Sequence, residues 1–108
     1  MRRKGWTEMT QTRERDIEAH LRDRIKAAGG LAYKFESPGN AGVPDRLVLM
    51  PSGRVAFVEL KQKGKKPTKL QEVQHRRIRS LGFRVEVCDS KEAVDRFVAD
   101  ITQAGEAE

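Results

Sequence analysis

Residues 42–61 read GVPDRLVLMPSGRVAFVELK, two apolar runs, Arg46 to Met50 and Arg54 to Leu60, flanking Pro51-Ser52-Gly53. Proline suits the first turn position and glycine the left-handed one, so the stretch predicts a β-hairpin with a three-residue loop. If Met50 faces Arg54, counting outward sets Leu47 opposite Phe57 and Asp45 opposite Glu59. Side chains alternate along a strand and direct cross-strand partners share a face, so Asp45, Glu59 and Lys61 converge.

Two carboxylates about 5 Å apart at a strand pair repel unless a cation lies between them. Lys61 relieves part of that repulsion and a divalent metal held by carboxylate oxygens relieves more. The plain alternative is a solvated hairpin face with ordinary charges. Against it, Val55 and Phe57 share the face of Glu59 and Lys61, which is therefore apolar for two positions before it turns charged.

Working outward, Thr12 to Ala28 carries Ile17, Leu21, Ile25 and Ala28 at helical spacing and stops at Gly29-Gly30. Neither Thr10 nor Thr12 opens a capping box. Leu31 to Glu36 reads as a short strand, followed by the turn-rich Ser37 to Gly42, whose glycines serve the turn or a close approach to phosphate. A second helix is expected from Thr68 to about Leu81, with Leu70, Val73, Ile78 and Leu81 facing inward. Thr68-Lys69-Leu70-Gln71 fits a capping box, which alone accounts for Gln71. Arg84 to Cys88 alternates as a strand, and Val94, Phe97, Val98 and Ile101 form the apolar stripe of a last helix before Gly105 and an acidic end that reads as a frayed tail.

The order helix, strand, strand, strand, helix, strand, helix predicts an α/β fold with a mixed sheet flanked by helices. Strands joined by the tight turn run antiparallel, and the strand after the second helix can lie parallel to its predecessor through a crossover. The 108 residues suit one domain, residues 10–103, between an N-terminal segment, residues 1–9, with the only tryptophan, Trp6, and a tail, residues 104–108. Core packing is the plainer expectation for Trp6. No apolar run approaches a membrane span and no signal segment is seen, so a soluble, cytoplasmic protein without membrane contact is expected. The single cysteine, Cys88, suits a buried strand position.

Net charge is +6, and residues 61–84 alone hold nine Lys or Arg against one acid, Glu72. Such a patch suits a polyanion, because neutralising phosphates releases condensed counterions. Alone it reads as a solvated face; beside paired carboxylates it favours nucleic acid. Candidate contacts are Lys63, Lys65, Lys66 and Lys69 in and after the basic loop, with Lys34 and Asn40 from the first strand and its loop. The chain lacks the Cys and His cluster of a structural zinc site. His75, one turn beyond Gln71 on the same flank, reads as a surface residue outside the catalytic set.

Pro44-Asp45 followed by Glu59-Leu60-Lys61 resembles the PD-(D/E)XK nuclease signature. Together with Ser37-Pro38-Gly39, Gly42-Val43-Pro44-Asp45-Arg46 and the element order from about Glu14 to Phe97, it is similar to the VRR-NUC branch of that superfamily. The resemblance implies a restriction-endonuclease-like core and hydrolysis of DNA phosphodiester bonds with Mg²⁺ or Mn²⁺. Asp45, Glu59 and the Leu60 carbonyl would hold the metal, and Lys61 would assist the attacking water. Gln71 would help complete the site, as would a first-helix acid, Glu18 with Glu14 in reserve. It further implies a stand-alone enzyme of bacterial or phage type, acting as a homodimer on branched DNA in the manner of junction resolvases. A nickase or restriction-like duplex nuclease and a non-catalytic nucleic-acid-binding module are the rivals, with a purely structural interaction protein third.

Overall fold

The computed structural model describes residues 13–106, with the side chains of 104–106 set aside. Trp6, Thr10, Thr12 and the segment 1–9 lie outside the described residues. The elements are α1 (Glu14–Ala27), β1 (Leu31–Lys34), β2 (Arg46–Met50), β3 (Arg54–Leu60), α2 (Lys69–Ser80), β4 (Arg84–Cys88) and α3 (Lys91–Glu106). The sheet runs β1-β2-β3-β4, antiparallel for the first two pairs and parallel between β3 and β4. That is the mixed α/β topology expected, with α2 as the crossover.

Within the hairpin, Leu47 pairs with Phe57 and Met50 with Arg54, the register counted from the loop. The loop is Pro51-Ser52-Gly53, in which both Ser52 (φ 69°) and Gly53 (φ 76°) are left-handed. A serine thus shares the conformation that the sequence assigns to glycine alone.

One sheet face carries the core. Val48, Met50, Ala56, Val58, Leu60 and Cys88 pack against α1 through Ile17, Leu21 and Ile25, and against α3 through Val94, Phe97, Val98 and Ile101. Spacings of four on α1 and of three and four on α3 put each stripe on one side of its helix. Leu60 points into this core, so Glu59 and Lys61, its neighbours along the chain, take the other face.

On that other face Phe57 meets Phe35 and Phe83 edge-on, with ring centroids 5.5 and 6.1 Å apart. Here α2 is turned differently from expectation. Leu70, Val73 and Leu81 are 51, 38 and 76 % exposed, whereas His75 is buried at 2 %. The inward stripe is Gln71, His75 and Ile78, at helical spacing but mostly polar, because this helix covers the charged end of the sheet face rather than its apolar part. At the other end of the chain, α3 continues through Gly105 to Glu106, past the point where glycine suggests a stop.

Gly42 sets how closely α2 approaches. At φ 93°, a Cβ there would lie 2.9 Å from the Leu70 carbonyl oxygen, so its freedom serves helix docking. Gly42→Ala is expected to lower stability by about 1–3 kcal/mol through left-handed strain and backbone collision. Gly39→Ala, at φ 84° with open space around it, should be milder. Denaturant unfolding of the two variants checks the difference.

Candidate active site

Asp45 stands one residue before β2, and its backbone is pinned. Its carbonyl accepts from the Phe35 N–H at 2.9 Å and from Arg46 Nη1 at 2.8 Å. Its side chain reaches across the hairpin, where Oδ1 accepts the Leu60 N–H at 3.2 Å. Glu59 is the penultimate residue of β3 and only 3 % exposed. Lys61 follows the strand, with its N–H on the Cys88 carbonyl at 3.0 Å.

The carboxylates burden each other. Glu59 is pushed up to about 7, first by burial and then by the Asp45 charge, with Lys61 pulling the other way. Asp45 is also raised, by burial above all, against the Leu60 N–H and Arg46 that favour its ionised form. Glu59 Oε1 is buried and lacks a hydrogen-bond partner. A buried carboxylate beside a second carboxylate is a place where a cation removes an electrostatic cost.

Gln71 closes the capping box and also reaches Glu59. Thr68 Oγ1 accepts the Gln71 N–H at 3.2 Å and Gln71 Oε1 accepts the Thr68 N–H at 2.9 Å, closing the capping box. With the amide oxygen held there, the amide Nε2 donates to Glu59 Oε2 at 3.3 Å. Cap and site contact are one device.

The two first-helix acids differ in their surroundings. Glu18 Oε1 and Oε2 accept from Arg22 Nη1 at 2.8 and 2.9 Å, and Oε2 lies 3.7 Å from Arg46 Nε. Glu14 is the helix acid whose charge raises both Asp45 and Glu59. It lies one turn closer to the start of α1, the end that faces the carboxylates.

His75 corrects the sequence reading most. It is buried rather than superficial, with Nε2 3.5 Å from Glu59 Oε1. Burial, Arg79 and Lys61 all lower its pKa. Its spacing of four from Gln71 was the available signal, since on a helix such residues stack on one face.

Lys63, Lys65, Lys66 and Lys69 are exposed, and among the described residues none of them forms an ion pair. Lys34 instead lies 3.5 Å from Glu36, and Asn40 donates through its side-chain amide to Ser37 Oγ at 2.9 Å within its own loop.

Among the described residues no three His, Cys, Asp or Glu side chains already form a metal-binding group. A metal at this site would find two carboxylates and the backbone oxygens that adjoin them. Mg²⁺ suits such a set, since it keeps several waters and takes one or two carboxylates, and Mn²⁺ also favours hard oxygen donors.

Residues 2–92 match the family model described as VRR-NUC domain. The chain is 50 % identical over 84 residues to "Putative nuclease p44" of Acyrthosiphon pisum secondary endosymbiont phage 1, covering 78 % of this chain and 90 % of that protein. A solved structure described as a VRR_NUC domain superposes with a TM-score of 0.77 at 36 % identity, covering 80 % of this chain and 94 % of the other. On the family model matched over residues 2–92, the relative and the shared fold, the chain belongs to the VRR-NUC family.

Proposed function

We propose that this protein is a Mg²⁺- or Mn²⁺-dependent endonuclease that hydrolyses DNA phosphodiester bonds, acting on branched DNA as a homodimer. The observation that carries the reading is the pairing of Asp45 with buried Glu59, both carboxyl groups raised by burial and Glu59 further by the Asp45 charge, on the face that ends in Lys61. Nuclease chemistry follows from the family; metal, substrate shape and assembly are the finer part.

Asp45, Glu59 and the Leu60 carbonyl would hold the ion, with a first-helix acid, Glu14 or Glu18, reaching it through water. A bound divalent cation supplies a Lewis acid and a water of lowered pKa at the scissile phosphate. The remaining work belongs to the chain. Lys61 offsets charge developing on the phosphate oxygens and orients the attacking water. Gln71, fixed by its cap, holds Glu59 in place. The exposed Lys63, Lys65, Lys66 and Lys69 draw in the sugar-phosphate backbone without reading bases. A second copy is supported by the half-exposed Leu31 and Tyr33 on the edge strand β1 and by the single centre per chain, since cutting both strands of a junction needs two.

The test is incubation of the purified protein with nicked, linear and four-way-junction DNA in Mg²⁺, Mn²⁺ or chelator. Paired cuts across the junction, dependent on metal, are expected. Single nicks in linear duplex would favour the nickase reading, and binding without cutting under every metal would overturn catalysis.

No helix among the described residues is long and apolar enough to cross a membrane.

A further inference from the structure

We infer that His75 is a positioning residue for Glu59, donating from Nε2 to Oε1 so that α2 grips both carboxylate oxygens and fixes the side chain for a divalent cation. The inference rests on the metal-dependent reading above and extends it to a residue that neither the motif nor its spacing assigns.

Three observations converge. His75 Nε2 and Glu59 Oε1 lie 3.5 Å apart, and both are buried polar atoms without a hydrogen-bond partner. Two such atoms facing each other across so small a gap are complementary, because closing it by a few tenths of an ångström gives a normal hydrogen bond. Next, Glu59 Oε2 already takes Gln71 Nε2 at 3.3 Å, one helical turn earlier on α2. Residues four apart project from the same face, so one rigid helix presents two donors to the two oxygens of one carboxylate. Finally, His75 is 2 % exposed in a helix whose Leu70 and Val73 are left 51 and 38 % exposed. The helix is rotated to bury an imidazole in preference to neighbouring apolar side chains, the reverse of what transfer energies alone favour.

A carboxylate has about four lone-pair sites, so two donors from α2 leave capacity for a cation. Their effect is to fix the side-chain rotamer. Outer donors of this kind typically change metal affinity by about 10- to 100-fold when removed.

The test measures Mn²⁺ binding by titration calorimetry without DNA, in wild type, His75→Leu and His75→Gln, with thermal unfolding as the check on folding. Leucine approximates the volume and removes the donor, whereas glutamine returns an amide N–H near the position of Nε2. His75→Leu is expected to weaken Mn²⁺ affinity by about 10-fold, with His75→Gln staying within about threefold of wild type. A folded His75→Leu that binds Mn²⁺ as wild type does overturns the positioning role and leaves the nuclease reading standing. A wild type that binds no Mn²⁺ overturns the metal reading, and this inference with it. The measurement that needs no variant of His75 is nitrogen-detected NMR of the imidazoles in Mg²⁺, made simple by the chain's two histidines. A proton on His75 Nε2 is expected, and an unprotonated Nε2 overturns the proposal even if His75→Leu fails to fold.

Discussion

Lys61→Ala is expected to lower metal-supported DNA cleavage by about 10³-fold, within the 10²- to 10⁴-fold range of removing a positioned charge or acid-base group. Binding to the same DNA in chelator should change by less than about threefold, since four exposed lysines nearby carry the non-specific contact. Two roles for Lys61 are separable here. In the proposed reaction it acts on the phosphate, and it also favours the ionised form of Glu59, so its loss would leave Glu59 more protonated near neutrality and a poorer metal ligand. Raising the pH to about 8.5 with saturating Mn²⁺ removes the second effect alone. A defect that persists there is a defect in chemistry. Recovery to within about tenfold of wild type would sink the direct role and leave Lys61 as the counter-charge of Glu59.

The residues of this centre differ in how far the sequence discloses them, for reasons that are physical. Asp45, Glu59 and Lys61 follow from local geometry, because a two-strand register and a period of two are enough to place them. The parallel β4 follows from the crossover, and the capping box from a four-residue pattern. The rotation of α2 does not. Counting apolar positions turned Leu70, Val73 and Leu81 inward, yet the surface awaiting the helix is the charged end of a sheet face, and Gln71 and His75 answer it. Amphipathic patterning assumes an apolar partner, and where that partner is a pair of carboxylates the assumption inverts. Spacing alone does not distinguish Glu14 from Glu18 for a related reason. Both sit beside the same stripe, and what separates them is Arg46, which lies near Glu18 through a tertiary contact invisible to spacing.

Glu59→Gln should abolish cleavage and, at pH 8 in chelator, make the protein more stable than wild type. The sign follows from linkage. A carboxyl held at about 7 in the fold, against 4.5 ordinarily, binds its proton more tightly folded than unfolded. It therefore contributes full stability below about pH 4.5 and loses it as pH rises through 7. Asp45, raised in the same direction, adds to that trend. His75 opposes it, because an imidazole whose pKa is lowered by burial destabilises the fold as pH falls below 6.5. The rise of Glu59 from 4.5 to about 7 corresponds at most to about 3 kcal/mol. An amide still leaves one α2 donor poorly matched, so a net gain of about 1–2 kcal/mol is expected, or roughly 5–10 °C in unfolding temperature for a domain of this size. Between pH 5.5 and 8 wild type should lose stability, while Glu59→Gln stays level or gains, its remaining slope belonging to His75. Mn²⁺ should then raise the wild-type midpoint at pH 8 and leave that of Glu59→Gln unmoved. An equal or lower midpoint for Glu59→Gln at pH 8 in chelator would mean that Lys61 and Gln71 already compensate the buried charge. The electrostatic argument for a cation at this site would lose its main support, because the carboxylate pair would carry no energy for the ion to relieve.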